Sequence, residues 1–300
     1  MAKTLAFRLA FSGGLRAGAN VGDVNRQSDA VMASTLWGGL GCCAALLAEK
    51  ETVCRLVTKS RLSSLLWIDG DSPLFPAPVF VPPPDLDLQK AKNLKKHRWI
   101  TLEELNNLVG RGETPQRTPS QPFVEEALTS TSVDRSSQAA LPYPRRRIRP
   151  AAGCDGLLIA QLPDGLEELF RSALALLGDS GLGGERSHGW GLFESHPFDL
   201  EKTSLLQALT GNGRHYLNLG AFLPHDDEIQ RIEGMALPYG YALWKLRGYV
   251  GTSDTLKPTV TCLAHGSLLP FRPQGRTETI LQAEGHPVVF NGCPPALALA

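Results

Sequence analysis

Apolar and polar positions alternate at the start of the chain: Leu5, Phe7, Leu9 and Phe11 share one face, with Lys3 and Arg8 among the rest, and the run stops at Ser12-Gly13-Gly14. A period of two predicts a strand. A polar loop with Arg16, Asn20 and Arg26 follows. The period then lengthens, and Val31, Leu36, Leu40 and Leu46 recur at helical spacing behind two N-cap candidates, Ser28 and Asp29. Short strands such as LLWI and PVFV are expected between Ser60 and Phe80, and the turn residues and prolines that break them read as an insertion rather than a core. Thr101 caps a short helix expected from Leu102 to Val109, and Gly110 to Pro122 reads as a loop.

From Thr129 the chain passes through small polar residues around Val133-Asp134-Arg135 to Tyr143, gathers Arg145, Arg146, Arg147 and Arg149, and ends in the apolar LLIAQL. An extended arginine-rich hairpin leading into a strand is predicted, with an exposed edge strand kept soluble by charge as the plainer alternative. Leu166, Leu169, Phe170, Ala173, Leu174 and Leu177 mark a helix. A glycine-rich loop over 178–191 and a further strand complete a split βαβ order up to Phe198. The pattern is weaker from Asp199 to Ala300. Strands are expected over 216–222, 241–250, 259–263 and 286–290, and His225-Asp226-Asp227-Glu228 reads as a solvated turn.

The expected fold is therefore α+β, with a ferredoxin-like (RRM-like) domain over 1–198 and a pattern over 199–300 compatible with a second such domain. The second is degenerate, and the first carries an insertion over about 50–140 with basic loops and a β-hairpin. Thirty basic and thirty acidic residues give a formal net charge of zero, so any nucleic-acid role must rest on local patches. One such patch is KAKNLKKHRW, in which His97 and Trp99 offer stacking surfaces; a solvated charged face reads the same way. Six cysteines without metal spacing, and no signal peptide or long apolar span, point to a reducing cytoplasm with no membrane contact. Acids outnumber bases between Glu201 and Glu233, which suggests a face for a protein partner.

The segment richest in chemistry is GDSGLGGERSHGWG, with six glycines among its fourteen residues. It is not a P-loop, because Glu185 and Arg186 stand where Lys-Ser or Lys-Thr is needed. It is not a dinucleotide fingerprint either, since Arg186 takes the place of the third glycine. Such a run is expected to lie outside helix and strand and to offer free backbone N–H groups to an anion, with Arg186 adding a planar charged fork. A solvent loop without a ligand is the alternative.

The loop from Gly181 to Gly191 resembles the glycine-rich loop of the RAMP superfamily of CRISPR proteins. The SDAVMASTLWGGL stretch resembles the helix after that group's first strand, and Val133-Asp134-Arg135 resembles the start of its hairpin. With Gly266-Ser267 after a later strand, the combination is most similar to the fourth-subunit group of type III-A (Csm) effector complexes. This resemblance implies a non-catalytic, cytoplasmic RNA-binding subunit with two ferredoxin-like domains, acting in antiviral defence without cofactor or metal. It would hold the repeat-derived 5′ tag of the CRISPR RNA (crRNA) and join the large polymerase-like Csm subunit to the backbone RAMP subunit.

The crRNA contacts so implied are Arg16, Ser28, Asp29, Arg135, Ser136, Arg145, Arg146 and Arg147, together with Gly181, Gly183, Gly184, Arg186, Ser187, His188 and Gly189. Two positions depart from the group: His188 replaces a small residue, and Trp190 replaces tyrosine or phenylalanine. An imidazole beside phosphate can act as a general acid or base, so a crRNA-processing endoribonuclease using His188 is a second reading. A nucleotide-binding enzyme is a third, although its nearest carboxylates, Asp179 and Glu185, follow no recognised metal spacing.

Overall fold

The computed structural model describes residues 3–17, 31–79, 92, 94–236, 239–251, 255–283 and 286–300. Ser28, Asp29, Asn20 and Arg26 lie outside them. The chain is a mixed helix-and-strand protein organised on one seven-stranded sheet.

The alternating start forms β1 (Lys3–Phe11), with Leu5, Phe7 and Leu9 buried. It lies next to one edge of the sheet, antiparallel to β8 (Cys154–Leu162) on one side and to the edge strand β9 (Phe193–Pro197) on the other. Beyond β8 come β3 (Leu66–Asp69), β4 (Ser72–Pro76) and β5 (Trp99–Ile100), while the short β2 (Arg61–Leu62) also pairs with β8. Residues 60–76 are thus sheet and core, which corrects the insertion reading. Trp67, Leu66 and Phe75 are fully buried there; the turn residues that suggested an insertion only join adjacent antiparallel strands.

Two helices cover one face. The helix α1 (Ala33–Ala45) starts later than its sequence suggested: its N-cap is Met32, which makes no side-chain cap, and Val31 is already buried in the core. After α2 (Lys50–Lys59) and the sheet strands, α3 (Leu102–Arg111) carries a capping box in which Thr101 Oγ1 accepts the Glu104 N–H and the Glu104 carboxylate accepts the Thr101 N–H. The helix α4 (Glu167–Ser180) packs on α1 where Gly39 leaves room for Leu177, and Phe170 meets Phe7 at 5.6 Å. Because α4 runs to Ser180, Gly178 is helical, a correction to the loop boundary. Its missing side chain admits the Phe193 carbonyl, which a Cβ would approach to 2.2 Å.

His97 and Trp99, expected as stacking surfaces, are 5% and 3% exposed, and Trp99 meets Trp67 edge-on at 6.5 Å. They are core groups. Indole and imidazole beside a basic run satisfy burial as readily as they satisfy a base.

The C-terminal residues form smaller pieces: α5 (Leu205–Thr210), β10 (His215–Asn218) between β13 (Leu268–Leu269) and β16 (Ala296–Leu299), and two hairpins. These hairpins are β11 (Leu243–Leu246) with β12 (Val260–Leu263), and β14 (Thr277–Ala283) with β15 (His286–Asn291). The presumed turn at His225 opens α6 (Asp226–Glu233), whose Glu228 is 2% exposed and accepts the N–H groups of His225, Gln274 and Gly275. Glu228 is therefore a buried anchor and not a solvated turn residue. Leu205, Leu209, Leu217, Leu268, Leu297 and Leu299 join the same apolar core as the main sheet. Arg61 fastens the two parts with hydrogen bonds to the carbonyls of Pro273, Gln274 and Pro294.

Candidate nucleic-acid interface

Three segments converge at the end of β1: the residues that follow it, the base of the hairpin of β6 (Phe123–Val133) and β7 (Ala140–Pro150), and the glycine loop. Leu15 and Ile148 exchange both backbone hydrogen bonds, Gly184 N–H donates to the Arg16 carbonyl, and Gly191 N–H donates to the Gly14 carbonyl. The glycines make this closeness possible. At Gly183 (φ 89°) a Cβ would lie 2.3 Å from the Arg16 carbonyl, and at Gly191 (φ 77°) 2.0 Å from that of Leu182.

The backbone has consequently less to offer an anion than its glycine content implied. The N–H groups of Gly181, Leu182, Gly184, His188, Gly189 and Gly191 all bond to carbonyls of the protein itself. A single 3₁₀ turn, Arg186–His188, sits between Glu185 and Gly189, both left-handed. Positive charge around the loop comes mainly from side chains.

Its organiser is Glu185, which stands in the left-handed region at φ 64°. Its carboxylate accepts from Arg16 at 2.7 Å and from Arg145, and lies 3.2 Å from His188 Nδ1. Arg145 is 9% exposed, with its guanidinium carbon 4.5 Å from the centre of the buried Trp190 ring; Arg147 lies over the same ring at 5.5 Å. Arg147 and Arg149 share the carboxylate of Glu126, which they hold below the usual carboxylate range by hydrogen bonding.

The four arginines are therefore not one exposed cluster. Alternation along β7 turns Arg145 and Arg147 toward Trp190 and leaves Arg146 exposed, without an ion pair among the described residues. Arg186, Ser187, His188 and Gly189 are exposed on the loop, and His188 also lies 3.4 Å from Ser187 Oγ. Arg135 and Ser136 belong elsewhere, at the hairpin tip. About 17 Å of strand separates Arg145 from Ala140, where the tip begins. There Asp134 accepts the N–H and hydroxyl groups of Ser136 and Ser137, and those four bonds depress its carboxyl well below the ordinary range. Glu126, and the central part played by Glu185, were not legible beforehand. A lone acid between Gly-Gly and arginine is the signal that could have pointed to Glu185.

Residues 211–299 match the family model of the CRISPR Csm4 C-terminal domain. The CRISPR system Cms protein Csm4 of Thermococcus onnurineus (strain NA1) is 26% identical over 270 residues, covering 82% of this chain and 84% of that protein. The chain is thus similar to Csm4 proteins of CRISPR systems, over its C-terminal residues and over most of its length. Its fold agrees with a chain of the Csm3-Csm4 subcomplex crystal structure from a type III-A CRISPR-Cas interference complex, at TM-score 0.68, 15% identity and full coverage of both chains. It also agrees with the Csm1-Csm4 cassette in complex with cA4, at TM-score 0.64 and 17% identity, over 99% of this chain and 98% of that one. Among the described residues no helix is long and apolar enough to cross a membrane.

Proposed function

We propose that this chain is the non-catalytic RNA-binding subunit of a type III-A CRISPR-Cas complex. It grips the 5′ repeat-derived tag of crRNA and joins the large polymerase-like Csm subunit to the backbone RAMP subunit. In this reading the order β9-β1-β8-β3, with α1 and α4 as its helices, is the first ferredoxin-like unit, and 199–300 is a degenerate second. The observation that carries the reading is the meeting of Arg16, Arg145 and Arg147 with the exposed Arg186 around one loop at the end of β1. Such an array suits consecutive phosphates and fixes the register of an RNA strand without reading its bases. The partner assignment is supported by the relatives, whose solved complexes pair Csm4 with Csm3 and with Csm1.

Expression with the neighbouring genes and a CRISPR array, followed by sequencing of co-purified RNA 5′ ends, tests it. One fixed repeat-derived end with the other subunits in the same fraction is expected; heterogeneous ends or no RNA would refute tag binding. One observation favours the ribonuclease reading, namely the exposed His188 beside the Glu185 carboxylate. Glu185 already serves two arginines, which binds the pair into the cationic array instead of leaving it free as a proton relay. Under our proposal His188→Ala leaves RNA cleavage unchanged. Loss of metal-independent precursor cleavage would establish the second reading.

A further inference from the structure

A cleft of about 930 Å³ opens between α3, α5 and the paired ends of β10 and β16. It shares no residue with the glycine loop, the end of β1 or the hairpin. Its lining contains two basic side chains, Arg111 and Arg214, no acidic side chain, and the last residue, Ala300, whose terminal carboxylate is the one acidic group there. Neither guanidinium is held in an ion pair among the described residues. Arg111 ends α3, while Arg214 precedes β10 and is tied to the fold through its backbone N–H, which donates to the Leu299 carbonyl. Both residues are exposed.

The remaining lining mixes apolar residues, such as Leu102, Ala208 and Leu299, with polar ones. The side-chain amides of Asn107, Gln207 and Asn212 make no hydrogen bond among the described residues, whereas Asn106 is engaged with the Leu102 carbonyl and the Ala300 N–H. His215 lines the same wall and stacks at 5.5 Å on Tyr239, and its Nδ1 is buried with no partner. Burial and the neighbouring Arg214 lower its pKa, so the ring is neutral at pH 7 and can donate and accept. An orphaned buried ring nitrogen costs stability unless something bonds to it.

We propose that this cleft is an anion site distinct from the glycine loop, taking a phosphate-bearing ligand of nucleotide size between Arg111 and Arg214. The volume exceeds what one inorganic phosphate fills. Two permanently charged forks suit phosphate oxygens, and the three free amides with the neutral imidazole suit the edges of a base or the hydroxyls of a ribose. The same chemistry could be supplied by a free nucleotide or by one nucleotide of a single-stranded RNA. The inference does not depend on tag binding, because the cleft and the glycine loop can be tested apart.

The test uses the full-length chain, titrated calorimetrically at low salt with adenosine monophosphate and with a four-nucleotide single-stranded RNA. Saturable binding is expected, with about a tenfold loss for each of Arg111→Ala and Arg214→Ala and no change in adenosine monophosphate binding for Arg55→Ala, an exposed arginine of α2 outside both sites. Binding of the mononucleotide identifies a free nucleotide as a sufficient source; binding of the RNA alone, lost in the same variants, identifies the chain. The His215 imidazole resonances of the unmodified protein give a readout that no variant's folding can confuse. A saturating shift with the bound probe supports the site. Absence of binding by both probes, an unmoved His215 signal, or loss that follows Arg186→Ala instead of the cleft variants would overturn it.

Discussion

Glu185 and Glu228 sit on opposite sides of the chain's division of labour, and each organises its surroundings in a different way. Glu228 in the C-terminal part is buried and accepts three backbone N–H groups, so it fixes the path of the chain. Glu185 in the glycine loop is part-exposed and accepts from the side chains of Arg16 and Arg145, so it fixes the direction of charges. A carboxylate on backbone donors cannot be exchanged without local unfolding. One on arginine heads can give way to another anion, such as phosphate, at little structural cost. The same residue type is an anchor in one region and a placeholder in the other.

The largest effect expected is on the loop's backbone. Gly191→Ala places a Cβ against the Leu182 carbonyl in a left-handed conformation, and should cost about 3 kcal/mol or more in a urea titration. An unchanged midpoint would show that the loop is free to move and that its charges are not held in place. Next comes the anchor: Glu228→Ala strips three backbone donors of their acceptor, with an expected loss of about 3 kcal/mol. If the loss were no larger than that of Glu185→Ala, the contrast between the two glutamates would collapse.

Where the two regions meet, His265 lies between Trp99 and Trp244, with ring separations of 6.1 and 4.7 Å, and burial lowers its pKa to about 4. The unfolded chain, titrating near 6.5, binds that proton first, so the stabilising contribution is complete above pH 6.5 and is lost as pH falls toward 4. A loss on the order of 2 kcal/mol is expected, discounted because the residue keeps partial exposure. Denaturation midpoints followed from pH 7.5 to 4, and flattened by His265→Phe, would check it.

The smaller effects concern RNA. Arg145→Ala should weaken single-stranded RNA binding about tenfold and lower the salt slope by about one, because one phosphate contact and its stacking on Trp190 are lost. Glu185→Gln should instead strengthen binding by a few-fold, since the arginines no longer satisfy an internal carboxylate. A weakening by that variant would mean that Glu185 holds the arginines in place for RNA rather than occupying the position of a phosphate.

Much of the N-terminal part was legible in advance because its signals are local. The alternation of β1, the Thr101 capping box and the apolar face of α4 each lie within a few turns of chain. What failed did so where a residue's meaning depends on distant partners. Trp99 beside lysines looked like a base platform, but Trp67 buries it; Asp226-Asp227-Glu228 looked solvated, but Gln274 and Gly275 claim the last of them. The arginine run looked continuous until strand alternation divided it.

By itself the sequence determined the period of each strong element, the place of a glycine-rich loop between helix and strand, and the supply of cationic side chains. Tertiary structure alone decided which of those charges are spent inside the protein and which face outward. It set Arg145 on Glu185, Arg147 and Arg149 on Glu126, and left Arg186, Arg146, Arg111 and Arg214 without such partners among the described residues. The physical reason is range. Backbone propensity and amphipathic period act over a few residues, whereas these charge pairs join groups 21, 23 and 40 positions apart, whose proximity exists only once the chain has folded.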